Sequence, residues 1–572
     1  MKLILGSGRR HYGARAGICL IIVALIAGIV GCGRTPSEGL EIRTWYGLDA
    51  IRDNLSGDYT LMNDVDSTTP GYMELASPTA NEGKGWQSIG THNDPFTGTF
   101  DGQEYEIRDL CSDRPDEGYV GLFGHVDDRG IIGNLGVVNA NVTRGAIVGS
   151  LAGFNGGTVS NSYSTGNIVG FMCVGGLVGI NSGTVSNSYS TGSLTANYYQ
   201  GFVGGLVGQN RGVVSNSYYN YDEVLINGEN IITIGALFHE DFEEWLANDK
   251  FLDINGRLSK EDSYYVVSNV GDFKELLAFG QNTSLKFRLT NDLDLATEPN
   301  FYIPYLAGEF DGNDHQISNL SFNFRFASQV GLFGYLASDA SVHDVAAESV
   351  NIAACVSVGG LLGFNAGTVG NSSSTGSVTG NVSVGGLAGA SDGAMRYCHS
   401  TSSVIGTRLD AGGLVGANAG TLSNSYATGS VSGDKHVGGL TGGNYGDVSN
   451  SYSTCSVTGV YDVGGLVGLN TDYATVSNSY STGNVTGSHN VGGLVGHNYD
   501  ATVSNSFWDT ETSGQAASDG GTGRTTSEMQ DIATFSGAGW NISAVADSGT
   551  RNLSYIWNIA DALTYPFLSW QP

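Results

Sequence analysis

Asp410, His436 and Asp462 follow one another at intervals of 26 residues, an acid, a histidine and an acid in turn. If the chain coils with that period the three side chains stack about 5 Å apart, with Lys435 and Arg408 beside them. Such a column suits a metal ion or the base of a polysaccharide lyase, and the same alternation of charge suits a solvated turn. Glycoside hydrolysis needs two carboxylates about 5 to 9.5 Å apart, or a tyrosine with its own base. Residues 148 to 220 hold neither Asp nor Glu, so the coils of that stretch cannot supply the pair by themselves. Asp64 with Asp66, and Asp292 with Asp294, are weak calcium ligands that lack the Gly and Glu of an EF-hand loop. Calcium is the one cofactor the sequence raises. Asp101-Gly102 and Asp311-Gly312 read as turns. No P-loop, GxSxG elbow or Rossmann fingerprint occurs, because the glycines follow another period.

That period defines the elements that carry these residues. Of 572 residues 87 are Gly, nine are Pro and 14 % are charged, which excludes a coiled coil and an ordinary helical enzyme. One leucine recurs as Leu122, Leu151, Leu177 and Leu206, then as Leu332, Leu361, Leu387, Leu414, Leu440, Leu466 and Leu494. A typical unit runs from Val174 to Gly192 and holds two or three short strands separated by Gly and Asn, with no 3.6-residue stripe. The leucine-rich repeat core, the length of a propeller blade and the Asp of a calcium-roll nonapeptide are all missing. The pattern predicts an all-β parallel β-helix, a β-solenoid with one unit per coil and right-handed crossovers. Asn155, Asn181, Asn210, Asn365, Asn418, Asn444, Asn470 and Asn498 form one column. Asn161, Asn187, Asn216, Asn371, Asn424, Asn450, Asn478 and Asn505 form another. Asn accepts left-handed corners, and stacked amides bond each other. A third column holds Tyr163, Tyr189, Tyr218, Tyr426, Tyr452, Tyr480 and Phe507, interrupted by Ser373 and His399. It shares strand parity with Val185, which predicts an inward or half-buried stack; the alternative is an exposed ladder that binds sugar.

Gly-Leu-hydrophobic-Gly at Gly121 to Gly124, Gly176 to Gly179, Gly360 to Gly363 and Gly413 to Gly416 resembles the GLUG motif of bacterial and archaeal surface proteins, found also in streptococcal immunoglobulin A peptidases. The resemblance spans residues 119 to 220 and 329 to 508, with departures at Ser150, Thr441 and Met395 to Tyr397. It implies a surface repeat module. The peptidases' zinc motif has no counterpart, since His239-Glu240-Asp241-Phe242-Glu243 lacks a second His.

The segment ahead of each array is duplicated: Tyr59 to Asp66 matches Phe287 to Asp294, and Phe96 to Leu110 matches Tyr305 to Leu320. A short helix is expected before each, through Leu48, Ile51 and Leu55 and through Phe273, Leu276 and Leu277, the second opened by an Asp272 to Glu275 capping box. Two tandem solenoid segments with short helical caps result. The expected divisions are a signal peptide 1–31, a linker 32–44, a cap with first coils 45–118, array one 119–220, an acidic bridging segment 221–262, a second cap 263–328, array two 329–508 and a C-terminal cap 509–572. The bridging helix through Phe238, Phe242, Trp245 and Leu246 is expected on the open end of the first solenoid, and the tail with Trp540, Trp557 and Trp570 on that of the second.

Residues 1 to 31 carry Lys2, Arg9, Arg10 and Arg15 and no acid ahead of an apolar run, the form of a secretion signal. Ile29-Val30-Gly31-Cys32 resembles a bacterial lipobox, which implies cleavage before Cys32 and a lipid on its thiol. Taking those four bases from 25, with all 55 acids kept, leaves a net charge near −34, which repels nucleic acid. The expectation is a lipid-anchored, extracytoplasmic, non-catalytic binding or adhesion module whose partners are the membrane and a glycan or cell-surface ligand. The alternatives are a polysaccharide lyase or hydrolase and a passive spacer.

Overall fold

The computed structural model describes residues 39–197, 202–324 and 327–571. It is a parallel β-solenoid of about 15 turns with a few short helices. Each coil lays down three segments. The first wall holds strands such as Val178–Asn181, the second strands such as Thr184–Ser186, and the third longer, bent strands such as Tyr163–Gly175. Register between coils is in phase: Val178 pairs with Val207, Val185 with Val214, and Tyr189 with Tyr218. In the second array eight first-wall strands form one sheet, from Ile303–Leu306 to Val495–Asn498, while the other walls merge into one 28-stranded sheet.

The repeated residues explain the coil. Every one of the eleven periodic leucines is fully buried, and in both arrays such leucines bond their copies in the next turn through the backbone, as Leu151 does Leu177 and Leu440 does Leu466. Full burial of one such side chain stabilises by about 2 to 3 kcal/mol. The Gly-Gly before it is a requirement of close approach. A Cβ at Gly175 would lie 1.9 Å from the Val178 carbonyl oxygen, and one at Gly176 would lie 2.2 Å from that of Gly205.

The two asparagine columns divide the tasks between them. Asn155, Asn181 and Asn210, then Asn418, Asn444 and Asn470, are buried and make an amide ladder in which each Nδ2 donates to the next Oδ1 at 2.8 Å: Asn155 to Asn181, Asn181 to Asn210, Asn418 to Asn444, Asn444 to Asn470 and Asn470 to Asn498. All members of the other column, from Asn161 to Asn505, have φ between 43° and 50° and form the left-handed corner into the third wall.

The tyrosine column is a stack of half-buried and covered rings, as one branch of the expectation had it, and that corner decides against the inward branch. Counting alternation from Val185 through Asn187 assumes an unbroken strand, and the left-handed turn at Asn187 resets it. Ser188 and Ser190 face inward and are buried, while Tyr189 lies on the outer face. In the second array the outer position is plain. Tyr426, Tyr452, Tyr480 and Phe507 form their own apolar cluster with Phe535, Trp540, Trp557 and Leu568 of the C-terminal segment, apart from the solenoid core.

Residues 509 to 524 add a partial last turn, with Phe507–Asp509 pairing Thr522–Arg524. From there the tail folds back along the tyrosines. Trp570 Nε1 donates to the Asn424 carbonyl at 3.1 Å, Gln571 Nε2 to the Tyr452 hydroxyl at 2.7 Å, and the Tyr480 hydroxyl to the Pro566 carbonyl at 2.5 Å. The helix His239–Ala247 does the same in the first array. Trp245 packs edge-on against Tyr189 and Tyr218 at 6.1 and 5.1 Å, and its Nε1 donates to Asn216 Oδ1 at 2.8 Å. Both segments cover a flank, where the sequence pointed to the solenoid ends.

The second cap joins the two arrays. Its helices Val270–Lys274 and Leu276–Phe279 begin one turn earlier than the expected box, at Asn269, whose side chain accepts from Asp272 N. Gln281 exchanges two hydrogen bonds with the Ser217 backbone, and the Tyr218 hydroxyl donates to the Ala278 carbonyl at 2.5 Å. One apolar core runs from Ile42 to Trp508 through this junction.

Candidate functional site

Asp410, His436 and Asp462 do come together. His436 Nδ1 lies 2.7 Å from Asp410 Oδ1 and its Nε2 lies 3.4 Å from Asp462 Oδ2, and Asn490 Nδ2 donates to Asp462 Oδ1 at 2.6 Å. All four have φ between 51° and 58°, and so do Ser357 and Ser383 in the preceding coils, at 55° and 53°. The column is a left-handed corner, and Asp, His and Asn are the residues that tolerate it best. Asp410, His436 and Asp462 are buried, which leaves their side chains facing one another rather than a groove. Tyr445 lies near, its ring over the Cα of Gly443, and burial with the charges of Asp410 and Asp472 raises its pKa well above the usual phenol value.

The aspartate pairs serve as ties between coils. Asp64 Oδ1 accepts from Glu106 N at 3.0 Å and Asp292 Oδ1 from Gln316 N at 3.1 Å. Asp66 accepts from Thr68 N, and Asp294 from Ala296 N and Asn319 Nδ2. These bonds hold the carboxyls of Asp66, Asp292 and Asp294 below the ordinary range. A different cluster escaped the sequence reading. Asp311 Oδ1 lies 3.7 Å from His343 Nδ1, which is 2.7 Å from Asp344 Oδ2. The signal was the duplication itself: block one has Asp101, Gly133 and Asn134 at the paired positions, whereas block two adds a histidine and a second acid. Arg288 Nε already pairs with Asp311 at 2.7 Å.

The tyrosines are the candidates that border open space. Tyr163 and Tyr189 stack at 4.9 Å and 3° and are half-buried, whereas Tyr218, Tyr426, Tyr452 and Tyr480 are covered. Where the His239–Ala247 helix stops short, a groove of about 550 Å³ opens between Glu104, Asn134, Asn161, the two rings, Asp249 and Lys250. The Tyr163 hydroxyl donates to Glu106, and Lys250 Nζ donates to the Asn187 carbonyl at 2.7 Å. Burial raises the pKa of both phenols and lowers that of Lys250. Rings, amides and opposite charges side by side can bind a polyhydroxylated ligand. Cys32 lies outside the described residues, among which no helix is long and apolar enough to cross a membrane.

Coil period, in-phase ladders and lidded tyrosines define a parallel β-solenoid repeat protein. The GLUG motif family model matches residues 172–195, 408–432, 459–486 and 487–507, so these four stretches carry the GLUG motif. Halomucin of Haloquadratum walsbyi is 36 % identical over 154 residues, 26 % of this chain and 2 % of halomucin. A provisionally assigned Gly-rich membrane protein of Evansella cellulosilytica is 30 % identical over 168 residues, 27 % of this chain and 18 % of that protein. The chain thus spans less than a fifth of either curated relative. The crystal structure of a provisionally assigned immunoglobulin A1 protease from Bacteroides ovatus aligns with 54 % of this chain and 93 % of its own at 20 % identity and a TM-score of 0.35, a likeness too slight to bear on activity.

Proposed function

We propose that this chain is an extracytoplasmic surface protein, anchored by a lipid on Cys32, whose rigid solenoid binds a glycan without cleaving it. The observation that carries the reading is the groove at Tyr163 and Tyr189, the stretch of the tyrosine column that its lid leaves open. Support for surface placement comes from the basic, acid-free leader ahead of Cys32 and from a relative named for a membrane. Support for binding over catalysis comes from the Asp410, His436 and Asp462 column, whose members are buried and bonded to one another. Residues 40 to 572, incubated with an immobilised glycan panel, should be retained without releasing oligosaccharide, and Tyr163→Ala should weaken retention. Release of sugar that Asp410→Asn abolishes would instead make the corner column an active site. Metabolic labelling with a fatty-acid analogue should mark the full chain and not Cys32→Ala.

A further inference from the structure

Between the two arrays lies a second cleft, of about 600 Å³, lined by none of the candidate site residues read from the sequence. One wall is the last coil of array one, with Phe202, Gln209 and Arg211; the other is the start of array two, with Tyr335, Phe364 and Asp392. The start of array two is tied to the segment that follows array one by the Tyr302 hydroxyl, which donates to the Ile232 carbonyl at 3.1 Å.

The first wall of array two opens with an aromatic stack in three successive coils, the last two rings standing three residues after Leu332 and Leu361. Tyr305, Tyr335 and Phe364 stack at 5.6 and 5.2 Å, within 10° of parallel. The column then changes abruptly: Phe364 pairs with Ala390, and Ala417 and Gly443 follow. The far face of the Phe364 ring therefore meets no further ring, and the side chain is half-buried at the cleft. Asp392, two residues beyond Ala390, projects at the rim. Across from it stands Arg211, the one charged side chain in residues 148 to 220, whose Nη2 donates to Gln209 Oε1 at 3.2 Å.

We infer that this cleft is a saccharide site, which takes a short neutral glycan with one sugar ring laid on Phe364 and its hydroxyls bonded to Asp392, Arg211 and Gln209. A free aromatic face suits the apolar C–H face of a sugar, and one acceptor charge facing one donor charge leaves no net field to select an ion. The volume falls in the range of small-ligand pockets and holds a few sugar units, not a protein. The inference rests on the glycan-binding reading above and extends it to a second, independent place.

The test is calorimetric titration of residues 40 to 572 with cellotetraose, mannotetraose and chitotetraose, and with trigalacturonate as the anionic counterpart. The expected result is binding of a neutral probe that Phe364→Ala abolishes and Asp392→Asn weakens about tenfold, because a charged hydrogen-bond acceptor becomes a neutral one. Asp392 is on the surface, so its variant tests the site even if Phe364→Ala unfolds the coil. Binding lost in Tyr163→Ala but unchanged in Asp392→Asn would overturn this site and leave the tyrosine groove standing. Preference for trigalacturonate would overturn the neutral class, and failure of every probe would overturn both readings.

Discussion

The two arrays present the same tyrosine column and cover it to different extents. Array one has three tyrosines and a nine-residue helix, which shields Tyr218 fully, Tyr189 partly and Tyr163 hardly at all. Array two closes Tyr426, Tyr452, Tyr480 and Phe507 under a segment of more than forty residues with three tryptophans. One face of one repeat thus becomes a groove in the first block and an interior in the second. What separates them is the chain that folds back, since the coils beneath are in the same register.

Removing the lid anchors sharpens that contrast most. Trp245 is fully buried and holds its helix through two tyrosine contacts and the bond to Asn216. Trp245→Ala should destabilise array one by about 3 to 5 kcal/mol and open the helix to protease, read by denaturant unfolding and limited proteolysis. Trp570 is one of three tryptophans on its lid and is only half-buried. Trp570→Ala should therefore cost about 1 to 3 kcal/mol and leave the remaining lid closed over Tyr480. Equal losses in the two variants would mean that the lids are equivalent.

How far these blocks were legible in the sequence follows from which signals are periodic. Leu177 and its copies, Asn181 and its copies and the duplicated caps gave the solenoid, its coil length and its two blocks, because each coil repeats the same buried contact. The outward turn of Tyr189 was lost because strand parity does not survive a left-handed residue, and nothing in the letters Ser-Asn-Ser marks Asn187 as left-handed and Asn181 as extended. The bridging helix was recognised as amphipathic and the tail by its tryptophans, but both were placed on the solenoid ends, since their partners are outer tyrosines that parity had put inward or half-buried. Asp410, His436 and Asp462 were found together by spacing alone. Phe364 was missed because in array two the run of rings at its position breaks off at Ala390 after three coils.

The amide ladder offers a break of middle size that the two blocks should share. Asn444 Oδ1 accepts from Asn418 while its Nδ2 donates to Asn470. Asn444→Asp keeps the acceptor and turns the donor into a second carboxylate oxygen facing Asn470 Oδ1. A loss of about 2 to 4 kcal/mol is expected near neutral pH, and the same in Asn181→Asp of array one. Burial would raise the new carboxyl above its unfolded pKa, so the destabilisation should shrink as pH falls and a protonated oxygen again donates. Stability measured at pH 4.5 and 7.5 checks the sign.

The smallest expected effects separate the blocks again, through two histidines with opposite shifts. In array one, burial holds His125 below the ordinary 6.5, helped by neighbouring His92 and opposed by Asp127. Its folded form prefers the neutral ring, so stability is full above the unfolded pKa and declines as pH falls through the lower folded value. In array two, burial opposes a charge on His343, but the Asp344 hydrogen bond and the charges of Asp311 and Asp344, with Glu309, outweigh it and raise the pKa above 6.5. That contribution is full below the unfolded pKa and is lost as pH rises through the raised value. His125→Gln should therefore flatten the acid side of the stability profile, and His343→Gln the neutral to alkaline side. Chemical denaturation followed from pH 5 to 9 reads both, and a His343→Gln profile that loses its slope on the acid side instead would show that Arg288, already paired with Asp311, sets the charge of the cluster.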